Sequence, residues 1–307
     1  MRIDAVLIAG ATASGKSAAA LALAERVNGA LINTDSMQVY REACILTARP
    51  DHAALSRAPH YLYGHASAHE PYSAARCQAD ALRILDDVRG RGMMPIFVGG
   101  TGLYFSALTE GLADIPPISQ AIRARLRARH SEIGVEAFFA EFAARDPESA
   151  ARLRASDTQR VLRAAEVFEM TGHSLFDWQR DRGSAPLAGL RLARFVLSPP
   201  RSELHRRIEA RFEWMLSAGA VEEAARLRDI DPALPSAKIL GLRELQRVLD
   251  GNFTLDDARS AAKAATRQYA KRQLTWFRHR MADWSWIEVP GTDEIVAHMF
   301  AVIHGPE

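Results

Sequence analysis

The octapeptide GATASGKS, from Gly10 to Ser17, constrains this chain more than any other stretch. It fits G-x-x-x-x-G-K-[ST], a pattern in which backbone N–H groups of a tight turn and a helix N-terminus converge on an anion while a lysine neutralises it. Such a loop needs a buried strand before it and a helix after it. A continuous apolar run from Ile3 to Ala9 precedes it, and an Ala-rich helical segment from Ser17 to Val27 follows. A run that is apolar without alternation suits a strand covered on both faces, as in a parallel sheet. The candidate phosphate cradle is therefore Gly10, Thr12, Ala13, Ser14, Gly15, Lys16 and Ser17, with the Ser17 hydroxyl placed to hold Mg2+. The pattern is that of nucleotide-binding, ATP-binding loops, yet it specifies a phosphate and not what carries it.

The same grammar recurs downstream. Ala30 to Asn33 reads as a strand that ends just before Asp35, and Met94 to Leu108 reads as apolar strand, glycine turn and helix. Two strand-turn-helix units predict a P-loop NTPase-like α/β core, a parallel sheet flanked by helices with ligands beyond the strand carboxyl ends. A βαβ unit would set the second strand beside the first, so Asp35 is expected to face the phosphate loop. A carboxylate there can bind metal, cap a helix or take a proton. The second turn, GGTG, either aims the Thr101 hydroxyl into the same crevice or is only a structural turn. After Asp114 the sequence reads as successive helices to about Arg182, then as a linker, Gly183 to Gly189, before strand character returns at Leu190 to Pro200 and at Trp284 to Val289. The expected organisation is a core of residues 1–113 and 190–307 with an inserted all-helical domain at 114–189.

Composition narrows the setting. Cys44 and Cys77 stand far apart with no ligand-spaced neighbours, which excludes a disulfide framework and a structural zinc site. No leader or spanning segment is evident, so a cytoplasmic protein with no membrane partner is expected. Formal charge is only +2, but Ala258 to Arg280 holds seven basic residues and no acid. Within it Arg259, Lys263, Arg267 and Lys271 recur at spacing four, a stripe suited either to solvent or to a phosphate backbone. Its freedom from acids favours the phosphates, whereas Trp276 and Phe277 read as core.

These segments, taken in order, resemble one family, the tRNA dimethylallyltransferases. The resemblance runs from the loop at Gly10 through TDSMQVYR (34–41), YSAARCQADA (72–81), PIFVGGTGLYF (95–105), DTQRVLRAAEVFEMTG (157–172) and LHRRIEARFEWML (204–216) to TRQYAKRQLTWFR (266–278), nearly the whole chain. It implies transfer of a dimethylallyl group from dimethylallyl diphosphate to the exocyclic N6 amine of the adenosine 3′-adjacent to a tRNA anticodon, with Mg2+ and no nucleoside triphosphate. Under it Asp35 is the expected base, Thr101 orients the amine or Asp35, and Lys16 stabilises the leaving group. Arg207, with Arg211 as its alternative, is expected at the diphosphate. Asp35, Ser36, Met37, Gln38, Thr101, Arg123, Gln159, Arg160, Val161, Leu162 and Arg163 match segments that touch the anticodon stem-loop. A monomer is expected. The chain departs from the family pattern at Ala11, at Glu42 to Leu46, which lacks the usual glycines, and at Gly64, where an aspartate is common. Three other readings share parts of this pattern: a small-molecule P-loop kinase, an enzyme that prenylates free adenine nucleotides, and a non-catalytic RNA-binding module.

Overall fold

Six short strands form one parallel sheet: β1 (Ala5–Gly10), β2 (Gly29–Asn33), β3 (His60–Tyr61), β4 (Met94–Gly99), β5 (Leu192–Leu197) and β6 (Ser285–Ile287). The structure is a computed structural model that describes residues 3–180, 183 and 185–305. Arg182 of the expected helical stretch and Ser184 of the expected linker lie outside the described residues. The described chain divides into two compact units, Met1–Leu108 with Leu187–Glu307, and Thr109–Pro186.

The strand order is β3-β2-β4-β1-β5-β6. Val6 of β1 lies opposite Ile96 of β4, while Gly29 of β2 lies opposite Met94 on the other edge of β4. The second strand therefore does not neighbour the first, as the sequence suggested; β4 is inserted between them. The chain skips one position after β1 and fills it later, which puts the winding reversal, where ligands of open α/β sheets bind, at the carboxyl ends of β1 and β4.

Both faces of the sheet are covered, which explains why β1 lacks alternation. Val6 and Ile8 pack with α1 (Lys16–Val27) and α13 (Thr292–His304) through Leu23, Val296 and Met299. Leu7 and Ala9 face the other way, with Leu85 of α3 (Ala74–Gly90), Phe105 of α4 (Gly102–Thr109) and Phe277 of α12 (Leu255–Arg280). α12 begins at a Thr254/Asp257 capping box, three residues before the acid-free stretch, so its first turn is acidic and its last turn basic, as the helix dipole favours. The short α2 (His52–Arg57) precedes β3.

The second unit is all-helical: α5 (Gln120–Arg145), broken at Gly134, α6 (Pro147–Ala150), α7 (Thr158–Thr171) and α8 (Leu175–Arg180). Leu126, Phe138, Phe142, Val161, Ala164 and Val167 form its core.

A third cluster in the larger unit fixes the loop that follows Asp35. Residues 39–46 pack on α9 (Arg201–Ser217), α10 (Ala220–Arg226) and α11 (Leu242–Leu249). The glycine-poor stretch Glu42 to Leu46 is held by Glu223 of α10, only 2% exposed, whose carboxylate accepts the N–H groups of Cys44, Ile45 and Leu46, each at 2.8 Å. Three charge-assisted bonds hold the backbone of this stretch, which has no left-handed residue, in place. Gly64, with φ +56°, leaves room for the Arg49 guanidinium, which reaches the carbonyls of Tyr40 and Arg41. Glu223→Ala would leave three buried N–H groups unpaired, so urea unfolding should show a loss of roughly 2–4 kcal/mol with an unchanged m-value.

Candidate functional site

The phosphate loop is built as the motif requires. Ala13 (φ +63°) and Gly15 (φ +93°) adopt left-handed backbone on either side of Ser14, the alternation that turns successive N–H groups into an anion nest. The first N–H groups of α1, beginning at Lys16, have no intrahelical acceptor and point the same way. A Cβ on Gly10 would stand 2.5 Å from Ser14 Oγ, so that glycine is what admits the serine. Ser14 Oγ is fully buried and has no protein partner, as a hydroxyl waiting for a ligand oxygen would be. Lys16 is 8% exposed and its Nζ reaches only the Ala11 carbonyl, at 3.4 Å. Ser17 lies exposed in the first turn of α1.

Asp35 stands across from this loop. It follows β2 and its N–H is taken by the Asn33 side chain at 2.9 Å, while its Oδ1 accepts from Met37 N at 3.0 Å. The other oxygen, Oδ2, points over Gly100: a Cβ built there would meet it at 3.1 Å and the Gly10 carbonyl at 3.4 Å. Gly99 is equally confined, against the Thr34 backbone. Gly99 ends β4 and Gly100 follows it, between the ends of β1 and β2; a Cβ on the first would run into the Thr34 backbone and on the second into the Gln273 amide, so a bare backbone floor lies between the loop and the carboxylate. Thr101 comes next, but its hydroxyl is engaged with Ser36: Oγ1 accepts Ser36 N at 2.9 Å and donates to Ser36 Oγ at 3.1 Å. It shapes the turn carrying Asp35 and does not bond to the carboxylate itself.

Electrostatics tie the groups together. Burial pushes the Lys16 ammonium down to about 8, opposed by Asp35 and assisted by Arg211. Arg211 is likewise lowered by burial and raised by Asp35. The phenols of Tyr63 and Tyr269 are pushed up by burial first and by Asp35 second, so both stay neutral around the carboxylate. The two α9 arginines, four apart, have different jobs. Arg207 is bound to Glu203 at 2.6 Å, to the Ser14 carbonyl at 3.1 Å and to the Pro290 carbonyl at 2.7 Å, and so braces the loop from outside. Arg211 donates to Thr12 Oγ1 at 3.0 Å and shares the field of Asp35. Both arginines therefore border the loop, Arg211 through Thr12 and the field of Asp35, Arg207 through the Ser14 carbonyl while Glu203 and Pro290 hold its other nitrogens. Gln273, which sequence reading overlooked, accepts Thr12 N–H at 2.9 Å and donates to the Gly100 carbonyl at 2.8 Å.

Other expected contact residues divide by exposure. Gln38 is buried, its amide donating to the carbonyls of Thr47 and Ala48, and Met37 packs on the cluster beneath it. In the helical unit Val161 is 2% exposed and belongs to the core, while Leu162 is half-buried against it. Gln159 and Arg160 are exposed, and Arg160 pairs with Asp157 at 3.3 Å. Arg123 and Arg163 both approach Glu166 at 3.8 Å. The α12 stripe is mostly neutralised: Arg259 and Lys263 pair with Glu213 and Arg267 with Glu209, both acids on α9. Lys271, Arg272, His279 and Arg280 instead line an open groove with Gln268, Thr275 and Trp276. Phe277 is fully buried, as a core assignment requires, whereas Trp276 packs its ring against Gly102 and stays partly exposed at the groove.

Comparison with known proteins agrees with this geometry. The chain matches the IPP transferase family model over residues 38–280 and the isopentenyl transferase model over residues 3–69. A protein of Rhodopseudomonas palustris (strain BisB18) named tRNA dimethylallyltransferase is 53% identical over 285 residues, covering 92% of this chain and 90% of its own. One of the same name from Nitrobacter hamburgensis is 49% identical over 306 residues, 99% and 95% of the two chains. The crystal structure of tRNA isopentenylpyrophosphate transferase from Bacillus halodurans has a TM-score of 0.70 at 33% identity, over 99% of this chain and 96% of that one. A eukaryotic dimethylallyltransferase acting on tRNA shares the fold, with a TM-score of 0.82 at 24% identity over 99% and 80%. By matches spanning most of its length, the chain belongs to the IPP transferase family, together with the tRNA dimethylallyltransferases.

Proposed function

We propose that this enzyme transfers the dimethylallyl group of dimethylallyl diphosphate to the N6 amine of the adenosine 3′-adjacent to the anticodon in tRNA, giving N6-dimethylallyladenosine and diphosphate. The observation that carries the reading is the opposition of the Asp35 carboxylate to Lys16, Arg211 and the phosphate nest across a floor of two glycines. An adenine amine is a weak nucleophile because its lone pair is delocalised into the ring. Attack on the allylic carbon therefore needs a base that removes the N6 proton as the C–N bond forms, and Asp35 stands where that proton leaves. As the C–O bond to the donor breaks, negative charge grows on the diphosphate, where the N–H nest, Lys16 and Arg211 are already aimed. Thr101, through Ser36, keeps the Asp35 turn in place.

Mg2+ fits as an ion that arrives with the diphosphate. Among the described residues no group of three His, Cys, Asp or Glu side chains could cage a metal, whereas the Ser17 hydroxyl is exposed beside the nest. Magnesium in phosphate sites takes its ligands largely from phosphate and water. Bound there, it would neutralise part of the diphosphate charge. The same loop pattern serves ATP elsewhere, but here the diphosphate belongs to the prenyl donor. A monomer acting on cytoplasmic tRNA belongs to the same reading; no described helix is long and apolar enough to cross a membrane.

The acceptor base must leave its stack to reach Asp35, at a cost of a few kcal/mol that contacts elsewhere on the RNA offset. Gln159, Arg160, Arg123 and Arg163 of the helical unit and the α12 groove supply the exposed polar and cationic groups for those contacts.

Incubating the protein with tRNA and dimethylallyl diphosphate and analysing the nucleosides by mass spectrometry tests the reading directly. N6-dimethylallyladenosine should appear, whereas γ-phosphate transfer from ATP without use of the prenyl donor would identify a kinase, and equal turnover of AMP would identify a nucleotide prenyltransferase. Asp35→Asn should abolish transfer while leaving tRNA affinity within about twofold, measured by filter binding, because the amide keeps the shape and loses the basicity. Raising pH through about 8 removes the Lys16 charge in the free enzyme, and a bound diphosphate restores it by taking up a proton. Donor affinity should therefore fall by up to about tenfold between roughly pH 8 and 9, and Lys16→Ala should bind weakly with that dependence gone. Arg211→Ala should lower kcat by roughly 100-fold, whereas Arg207→Ala should act mainly on the donor KM.

A further inference from the structure

We propose that Gln273 is a positioning residue that sets the gap between the leaving diphosphate and the base that deprotonates the acceptor. Gln273 lies on α12, is 6% exposed, and bridges two loops far from it in sequence. Its Oε1 takes the Thr12 N–H at 2.9 Å, on the donor side, and its Nε2 gives a proton to the Gly100 carbonyl at 2.8 Å, on the floor beneath Asp35. Neither bond belongs to a helix or to the sheet ladder, so each exists only because this side chain reaches both loops. The orientation of the amide is forced: a backbone N–H faces one end and a carbonyl faces the other.

The chemistry of the position selects glutamine. One end must accept and the other must donate, which excludes Glu, an acceptor at both ends, and Lys, a donor only. A carboxylate there would also oppose the diphosphate, whereas an amide leaves the field of Lys16 and Arg211 intact. Asparagine is shorter by one methylene and cannot span both partners. The consequence for the cradle is specific. Thr12 donates its N–H to Gln273 and accepts Arg211 at its hydroxyl, so it is pinned from α12 and α9 together and leaves anion binding to the N–H groups that follow it. Gly100 is pinned in turn, and with it the surface over which Asp35 Oδ2 looks toward the loop. A strut between the two substrates acts on their mutual approach and not on the affinity of either, and misplacement by an ångström costs roughly 100-fold in rate.

The inference rests on the proposed prenyl transfer, and the wild-type control separates the two: a wild-type protein that fails to prenylate tRNA sinks the function, not the strut. Gln273→Met keeps the volume and removes both bonds; Gln273→Asn keeps both groups and shortens the reach. Each is compared with wild type for thermal melting, calorimetric affinity for inorganic diphosphate with Mg2+, tRNA affinity and single-turnover prenyl transfer at saturation. The expected result is a drop of roughly tenfold to 100-fold in the transfer rate with both affinities within about threefold of wild type. An unchanged transfer rate in a folded variant overturns the proposal. A loss of diphosphate affinity that matches the loss of rate also overturns it, since the side chain would then belong to the cradle. Should the methionine variant melt below the assay temperature, the asparagine variant decides by the same two readouts.

Discussion

The close approach of three strand ends governs this structure. β4 comes between β1 and β2; its last residue, Gly99, is pressed against the Thr34 backbone, and Gly100, which follows, lies beside the Gly10 carbonyl. A Cβ on Gly99 would run into the Thr34 backbone and one on Gly100 into the Gln273 amide, so bare backbone lies between the phosphate nest and the carboxylate. Neither group is unusual alone. Their juxtaposition over a flat backbone floor is what makes deprotonation and leaving-group stabilisation possible in one cleft.

Much of this was legible from residue order because the governing interactions are local. The loop lies between a strand apolar from Ala5 to Ala9 and an Ala-rich helix; Gly10 answers to Ser14 four residues on, and Gly15 to its own left-handed backbone. Asp35 and the GGTG turn could likewise be placed at strand ends from the strands that precede them. Strand order was not legible, because it is decided by pairing between segments some ninety residues apart, and a βαβ unit leaves open whether a later strand fills the gap. β3, only two residues long, is too short to carry a period.

The site residues that escaped sequence reading share one cause, that their partners lie on other elements. Arg207 and Arg211 occupy the same face of α9, and only Glu203, Pro290 and Thr12 tell them apart. Gln273 sits among lysines and arginines and reads as surface until Thr12 and Gly100 are seen at its two ends. Val161 lies in a segment that resembles an RNA contact, yet the helical period of α7 turns it inward, with Leu162 half-buried beside it. Glu223 shows the same in a supporting role, holding three N–H groups of the Glu42 to Leu46 loop with one carboxylate.

The pairing of Glu209 and Glu213 with the amino-terminal half of α12 changes how a polyanion would meet this helix. With those cations already spoken for, the groove lined by Lys271, Arg272, His279 and Arg280, next to the indole of Trp276, is the cationic end of the helix. An approaching nucleic acid therefore experiences a graded attraction along the rod instead of a uniform one, and drifts toward a single end. Geometry of this sort orients a flexible chain before any base is read, and it would do so less well as dissolved ions thicken the screen between them.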